Sequence, residues 1–166
     1  MTMKPTNVLF LCTHNSARSI LAEAVLNHIG RGRFKGYSAG SSPRDNQQPN
    51  PLGLQVLQNA GISIDGLGSK SWDEFAKPDA PQMDLVITVC DNAAGEVCPY
   101  WPGQPATAHW SYADPSAIDG TDEQRLEAFR QTLHAIRRRL ELLVNLPDSR
   151  VDKLMLQSSA RELSKS

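Results

Sequence analysis

Val8-Leu9-Phe10-Leu11 runs without a break into Cys12-Thr13-His14-Asn15-Ser16-Ala17-Arg18-Ser19, and the reading of this junction decides the fold. A short, unbroken apolar run suits a strand buried on both faces of a parallel sheet. Beyond the polar residues, Ile20, Leu21, Ala24, Val25, Leu26 and Ile29 recur on a helical period, with Gly30 as a stop. A strand, a tight polar loop and a helix therefore follow one another at the start of the chain.

Working outward, residues 34–38 read as a second strand, and 40–51 as a loop rich in Gly, Ser, Pro and Asn. A helix is expected next, capped by Asn50 with Pro51 at its first position, and with Leu52, Val56, Leu57 and Ala60 on its apolar face. Ser71-Trp72-Asp73-Glu74 has the spacing of a capping box and predicts a short helix. Residues 84–89 form the clearest strand, ending at Cys90, and 106–110 a fourth, leading into Asp114-Pro115. Thr121 and Gln124 make a second capping box. It opens a long helix with Leu126, Phe129, Leu133, Ile136, Leu140 and Leu143 on one face, ending before Pro147. A last weak helix is expected around Val151, Leu154 and Met155. Alternating strands and helices imply an α/β domain, a parallel sheet covered on both faces. Ligands bind such sheets at the carboxyl ends of the strands. Cys12, Cys90 and the Trp110-to-Asp114 segment all lie just past predicted strand ends, so the topology can gather them at one edge.

At 166 residues the chain is long enough for one sizeable core and too short for two full domains. Hydrophobic residues make up 40% and charged residues 21%, ordinary values for a globular protein. The net charge of -1 gives nucleic-acid binding no electrostatic support. Arg137-Arg138-Arg139 is the one dense basic cluster and reads as a solvated face late in the long helix, where cations suit the helix dipole. No apolar run is long enough to span a membrane, and no signal-peptide pattern is evident, so a cytoplasmic protein is expected. In that compartment the three cysteines are expected as thiols, and a disulfide among them as transient and catalytic.

Cys12 and Arg18 form a Cys-x5-Arg element between a strand and a helix N-terminus. Backbone amides and the helix dipole converge there, which is what a tetrahedral oxyanion needs. Thr13, Asn15, Ser16 and Ser19 can hydrogen-bond within the loop and keep it tight, and Arg18 can clamp two oxygens at once. The same field favours the Cys12 thiolate, so one loop both binds the oxyanion and activates the nucleophile. The candidate oxyanion-binding set is Thr13, His14, Asn15, Ser16, Ala17, Arg18 and Ser19, with no separate role for the His14 side chain.

Cys-Thr-His-Asn-Ser-Ala-Arg-Ser followed by Ile-Leu-Ala-Glu-Ala resembles the signature of the low-molecular-weight tyrosine phosphatase superfamily. The resemblance spans roughly residues 8–146. It implies a three-layer, flavodoxin-like sandwich around a four-stranded parallel sheet, with residues 1–146 as one catalytic domain and 147–166 as an extension. It also implies that Asp114, extended by the following Pro115, is the general acid, ahead of Asp91 and Asp119.

The superfamily divides into phosphatases and arsenate reductases. Its tyrosine phosphatases carry tyrosines directly after the Asp-Pro, where this chain has Ser116-Ala117-Ile118. Its reductases carry one cysteine at the end of the third strand and another shortly after, and here Cys90 and Cys98 stand in those places. His109-Trp110 before the Asp-Pro also looks like the reductases. The chain thus resembles the thioredoxin-coupled arsenate reductases. That resemblance implies nucleophilic Cys12, oxyanion-clamping Arg18, acid Asp114, and a relay through Cys90 and Cys98. It implies no bound cofactor, with thioredoxin, or glutathione and glutaredoxin, as the external reductant. A monomer that binds arsenate, without nucleic-acid or membrane partners, is expected. Two features depart from the pattern: Ala17 stands where many reductases have a second cysteine, and the Cys90–Cys98 spacing is one residue longer than usual. Some members hold potassium near the loop through an Asn, a Glu, a Ser and an Asp. Asn15, Glu23 and Ser38 match, but Lys70 stands where the Asp is expected. A Lys ammonium in place of the cation implies no potassium requirement. A phosphomonoester or phosphotyrosine phosphatase working through a Cys12 phosphocysteine is the alternative, and a three-thiol oxyanion or metal sensor ranks below both.

Overall fold

The computed structural model describes residues 5–15, 17–30, 32–41, 47–89, 106–110, 112–145 and 160–163. Four parallel strands form one sheet: β1 (Thr6–Cys12), β2 (Phe34–Gly40), β3 (Leu85–Thr88) and β4 (Ala106–His109). Their order is β2-β1-β3-β4, so β1 and β3 are central and their carboxyl ends lie at a shared edge. Val8, Leu9, Phe10 and Leu11 are wholly buried, as the unbroken apolar run requires. Each such side chain contributes about 1.5–3 kcal/mol through removal from water.

Successive residues of β1 serve two different cores. Val8, Phe10 and Cys12 pack with residues of α1 (Arg18–Ile29), α2 (Pro51–Asn59) and α3 (Asp122–Val144). Leu9 and Leu11 pack on the opposite face with Trp72, Phe75 and Met83. Both faces are therefore covered, one by three helices and the other by a 3-10 turn, Trp72–Phe75.

The local signals act much as read. Asn50 accepts a hydrogen bond from the Leu52 amide, with Pro51 behind it. Thr121 and Gln124 make both bonds of a capping box. Phe129, Leu133, Ile136, Leu140 and Leu143 are the buried face of α3. Five details differ from expectation. α2 ends at Asn59, so Ala60, expected on its apolar face, is its exposed C-cap. The Ser71 box closes a single 3-10 turn, because its side chain takes the Asp73 amide, two residues on rather than three. β2 continues to Gly40, because Ala39 and Gly40 pair with Leu11 and Cys12 of the longer central strand. Gly30 ends α1 with φ -70, an ordinary helical value, so left-handed freedom is not what it supplies. A Cβ there would lie 2.6 Å from the Leu26 carbonyl oxygen and 2.7 Å from that of Phe34, so the requirement is close approach. Finally, α3 runs on to Val144 and has no basic residue in its last turn, so the arginine cluster gains little from the dipole. Nor is the cluster wholly solvated: Arg139 stacks over the Tyr112 ring at 4.9 Å.

Candidate active site

Cys12 is the last residue of β1 and is 5% exposed. The chain then turns through Thr13, His14 and Asn15 before α1 begins at Arg18. Asn15 adopts φ 55, in the left-handed region that asparagine tolerates better than most residues. It is fully buried and tied on three sides. Its Nδ2 donates to Ser19 Oγ at 2.9 Å, its Oδ1 accepts from the Lys70 amide at 2.9 Å, and its carbonyl accepts from Ser69 Oγ at 2.5 Å. The end of β2 supports the loop from beside it. Ser41 N donates to the Cys12 carbonyl, and a Cβ on Gly40 would lie 2.7 Å from the Thr13 carbonyl oxygen. The N-cap of α1, Ala17, supplies no side-chain hydrogen bond, and the first turn has no acidic residue. The first amides of the helix are thus left for an anion.

Arg18 links this loop to the segment after β4. Its Nη1 donates to the Tyr112 carbonyl at 2.9 Å, and its Nη2 lies 3.7 Å from Asp114 Oδ2. The Arg18 side chain is 14% exposed and that of Asp114 39%, so the guanidinium is the more deeply set of the two and the carboxylate stays reachable. Arg18 Nε is buried and has no partner among the described residues. Asp114 is aimed by its neighbour: Oδ1 accepts from the Ser116 amide at 2.9 Å and from Ser116 Oγ at 2.7 Å. This places Asp114, rather than exposed Asp119, beside the arginine. Tyr112 lies half-buried beneath Arg139, and burial pushes its phenol upward while Arg139 pulls it back. Cys12, Arg18 and Asp114 therefore share the carboxyl edge of the sheet, with Thr13, His14, Asn15, Ala17 and Ser19 around them. Ser16, Asp91, Cys90 and Cys98 lie outside the described residues.

The Lys70 ammonium lies against Ser38 and Glu23, residues that the resemblance matched to the potassium site of some members. Nζ donates to the carbonyls of Gly68 at 2.7 Å and Ser38 at 3.2 Å, and lies 4.0 Å from Glu23 Oε1. Ser38 Oγ donates to the same carboxylate. Burial raises the Glu23 carboxyl, while Ser38 and Lys70 hold it down. A potassium ion at these oxygens would meet the ammonium, so the residues present do not fit a bound potassium. Among the described residues no cluster of His, Cys, Asp and Glu could hold a metal ion, and no helix is long and apolar enough to cross a membrane.

Reading the sequence missed Ser69, Ser116 and the Tyr112 carbonyl. Ser116 carries a local signal, since an Asp side chain commonly bonds the amide two residues on. Ser69 and Tyr112 carry none, because their contacts reach 54 and 94 residues along the chain. His109, noted beside Trp110, hydrogen-bonds Thr88 Oγ1 through Nδ1 at 2.7 Å.

Comparison with known proteins agrees with this fold. Residues 7–155 match the family model for low molecular weight phosphotyrosine protein phosphatase. The chain is 34% identical to an arsenate reductase of Halalkalibacterium halodurans, over 81% of this chain and 91% of that one. It is 29% identical to a glutaredoxin arsenate reductase of Synechocystis, over 82% of this chain and 95% of that one. A solved arsenate reductase in its phosphate-binding state superposes with a TM-score of 0.63 at 28% identity, over 84% of this chain and 96% of the other. The chain belongs to the low molecular weight phosphotyrosine protein phosphatase family, and its relatives within that family include arsenate reductases.

Proposed function

We propose that this chain reduces arsenate to arsenite. The observation that carries the proposal is Arg18, which ties the Cys12 loop to the Asp114 segment and so brings clamp, nucleophile and acid together. Arsenate sits among the loop amides and Arg18. Cys12 Sγ attacks arsenic, and an oxygen leaves as water with a proton from Asp114. Cys90 then attacks Cys12 Sγ. The sulfur–arsenic bond breaks with its electron pair staying on arsenic, which departs as arsenite, and a Cys12–Cys90 disulfide remains. Cys98 attacks Cys90 and moves the disulfide to Cys90–Cys98, and thioredoxin reduces that pair. Arsenic is reduced by one electron pair, and the thiols supply it. Asp114 is aimed for this role by Ser116, which stands where the family's phosphatases carry a tyrosine. Lys70 takes the place of a structural cation, so turnover needs no potassium.

The reductase relatives support the reaction, and one of them is named for glutaredoxin. The test is arsenate-dependent NADPH oxidation with thioredoxin and thioredoxin reductase, repeated with glutathione, glutaredoxin and glutathione reductase. Turnover with the first system supports the full relay. Turnover with the second alone keeps the reaction and reassigns the donor. Cys90→Ser should stop arsenate turnover after one cycle or less. Brisk phosphotyrosine hydrolysis that survives this change, without arsenate turnover, would overturn the proposal in favour of a phosphatase.

A further inference from the structure

β4 is an edge strand, and edge strands leave backbone groups unpaired unless something covers them. Ala106 and Trp110 direct their amides to β3, bonding the carbonyls of Asp84 and Thr88. Thr107, between them in the alternation, therefore turns its backbone outward. A helical turn at residues 160–163 lies against that edge. Arg161 Nε donates to the Thr107 carbonyl at 3.1 Å, and its Nη2 lies 3.4 Å from Thr107 Oγ1. Ala160 is fully buried, and its carbonyl accepts the indole N–H of Trp110 at 2.9 Å. Trp110 is itself fully buried in the helix-side core, which Leu163 also packs against.

Trp110 begins the segment that carries the chemistry. Tyr112, whose carbonyl holds Arg18, comes next but one, and Asp114 follows. Arg139 of α3 stacks on Tyr112, and the 160–163 turn grips Trp110, so the segment is held by two elements. The family match covers residues 7–155, so the second of these holds comes from outside the matched residues.

We propose that residues 160–163 are a positioning element for the Arg18–Asp114 pair: by fixing Trp110 they set where the Tyr112 carbonyl and the Asp114 carboxylate meet the guanidinium. The inference rests on the function proposed above only for the reaction used to read it. A displacement of about 1 Å in such a constellation can slow a reaction by up to about a hundredfold.

The test compares the intact chain with a chain ending at Ser159, with Trp110→Phe, which keeps an aromatic ring and loses the donor, and with Arg161→Ala at an exposed position. Amide hydrogen exchange of the 110–114 segment is expected to speed up by roughly tenfold while β1 exchanges as in the intact chain. Single-turnover arsenite release is expected to slow by roughly tenfold. Unchanged exchange at 110–114 would overturn the proposal. So would faster exchange without slower release, or exchange that rises equally in β1, since that marks a purely structural role. If the intact chain releases no arsenite, the functional reading fails on its own, and calorimetric titration with arsenate decides this proposal. A roughly tenfold loss of affinity in the variants then supports it, and equal affinity overturns it.

Discussion

Replacing Lys70 by methionine removes an ammonium and keeps a stem of similar length. That ammonium serves two carbonyls and lies 4.0 Å from Glu23, with side chains 28% and 12% exposed. At that separation and an effective dielectric near 20, the attraction is about 4 kcal/mol, offset in part by desolvation of both ions. Removing one partner of a buried pair costs about 3–5 kcal/mol, because the other charge stays buried alone. Glu23 has an escape: it can take a proton. Its carboxyl already lies above the usual value of 4.5, raised by burial against the pull of Ser38 and Lys70, and loss of Lys70 raises it further. The sign follows. A raised acid favours the native state at low pH, so the variant's deficit grows as pH rises through the folded value and shrinks below it. We expect a deficit of about 3 kcal/mol at about pH 8, narrowing to about 1 kcal/mol near pH 5. For a chain of this size the larger figure is roughly 6–12 °C in Tm. The assay is thermal unfolding across a pH series for Lys70→Met, Glu23→Gln and the double variant. Glu23→Gln should rescue most of the Lys70→Met loss, because no charge is then stranded. A deficit below about 0.5 kcal/mol, one that does not change with pH, or an absence of coupling in the cycle would refute the reasoning.

Exchange of potassium for sodium should leave turnover of the intact chain unchanged, whereas Lys70→Ala, which opens the oxygens of Glu23, Ser38 and Gly68, should gain thermal stability in potassium. Arg18→Lys keeps the charge and loses the planar fork, so kcat/KM for arsenate should fall by roughly 10- to 100-fold, the equivalent of one charge-assisted hydrogen bond. Ser116→Ala removes a hydroxyl from Asp114 Oδ1 and leaves the amide bond in place. A fall in kcat of roughly 3- to 10-fold is expected, with the thermal midpoint held to within a few degrees. Gly40→Ala would drive a methyl against the Thr13 carbonyl. A stability loss of about 1–3 kcal/mol by chemical denaturation is expected, together with weaker arsenate binding by calorimetry.

The signals legible along the chain were those whose causes lie within a few residues. The apolar run of β1, the Asn50–Pro51 helix start, the Thr121–Gln124 box and the apolar face of α3 depend on steric and hydrogen-bonding rules between near neighbours. The strand–turn–helix junction from Cys12 to Arg18 belongs with them, since its three parts are adjacent in sequence. Strand order does not. Arg18 meets Tyr112 and Asp114 because β3 lies between β1 and β4, and Lys70 reaches Ser38 and Glu23 because the segment after α2 returns to the end of β2. Arg139 left solvent for the Tyr112 ring under packing from an element remote in sequence. Trp110 is the sharpest instance: it closes the expected fourth strand, but which carbonyl takes its indole N–H depends on where the chain comes to rest 50 residues later. Local geometry is encoded by neighbours, whereas the partners of a buried charge or donor are chosen by whichever chain segments the sheet brings beside it.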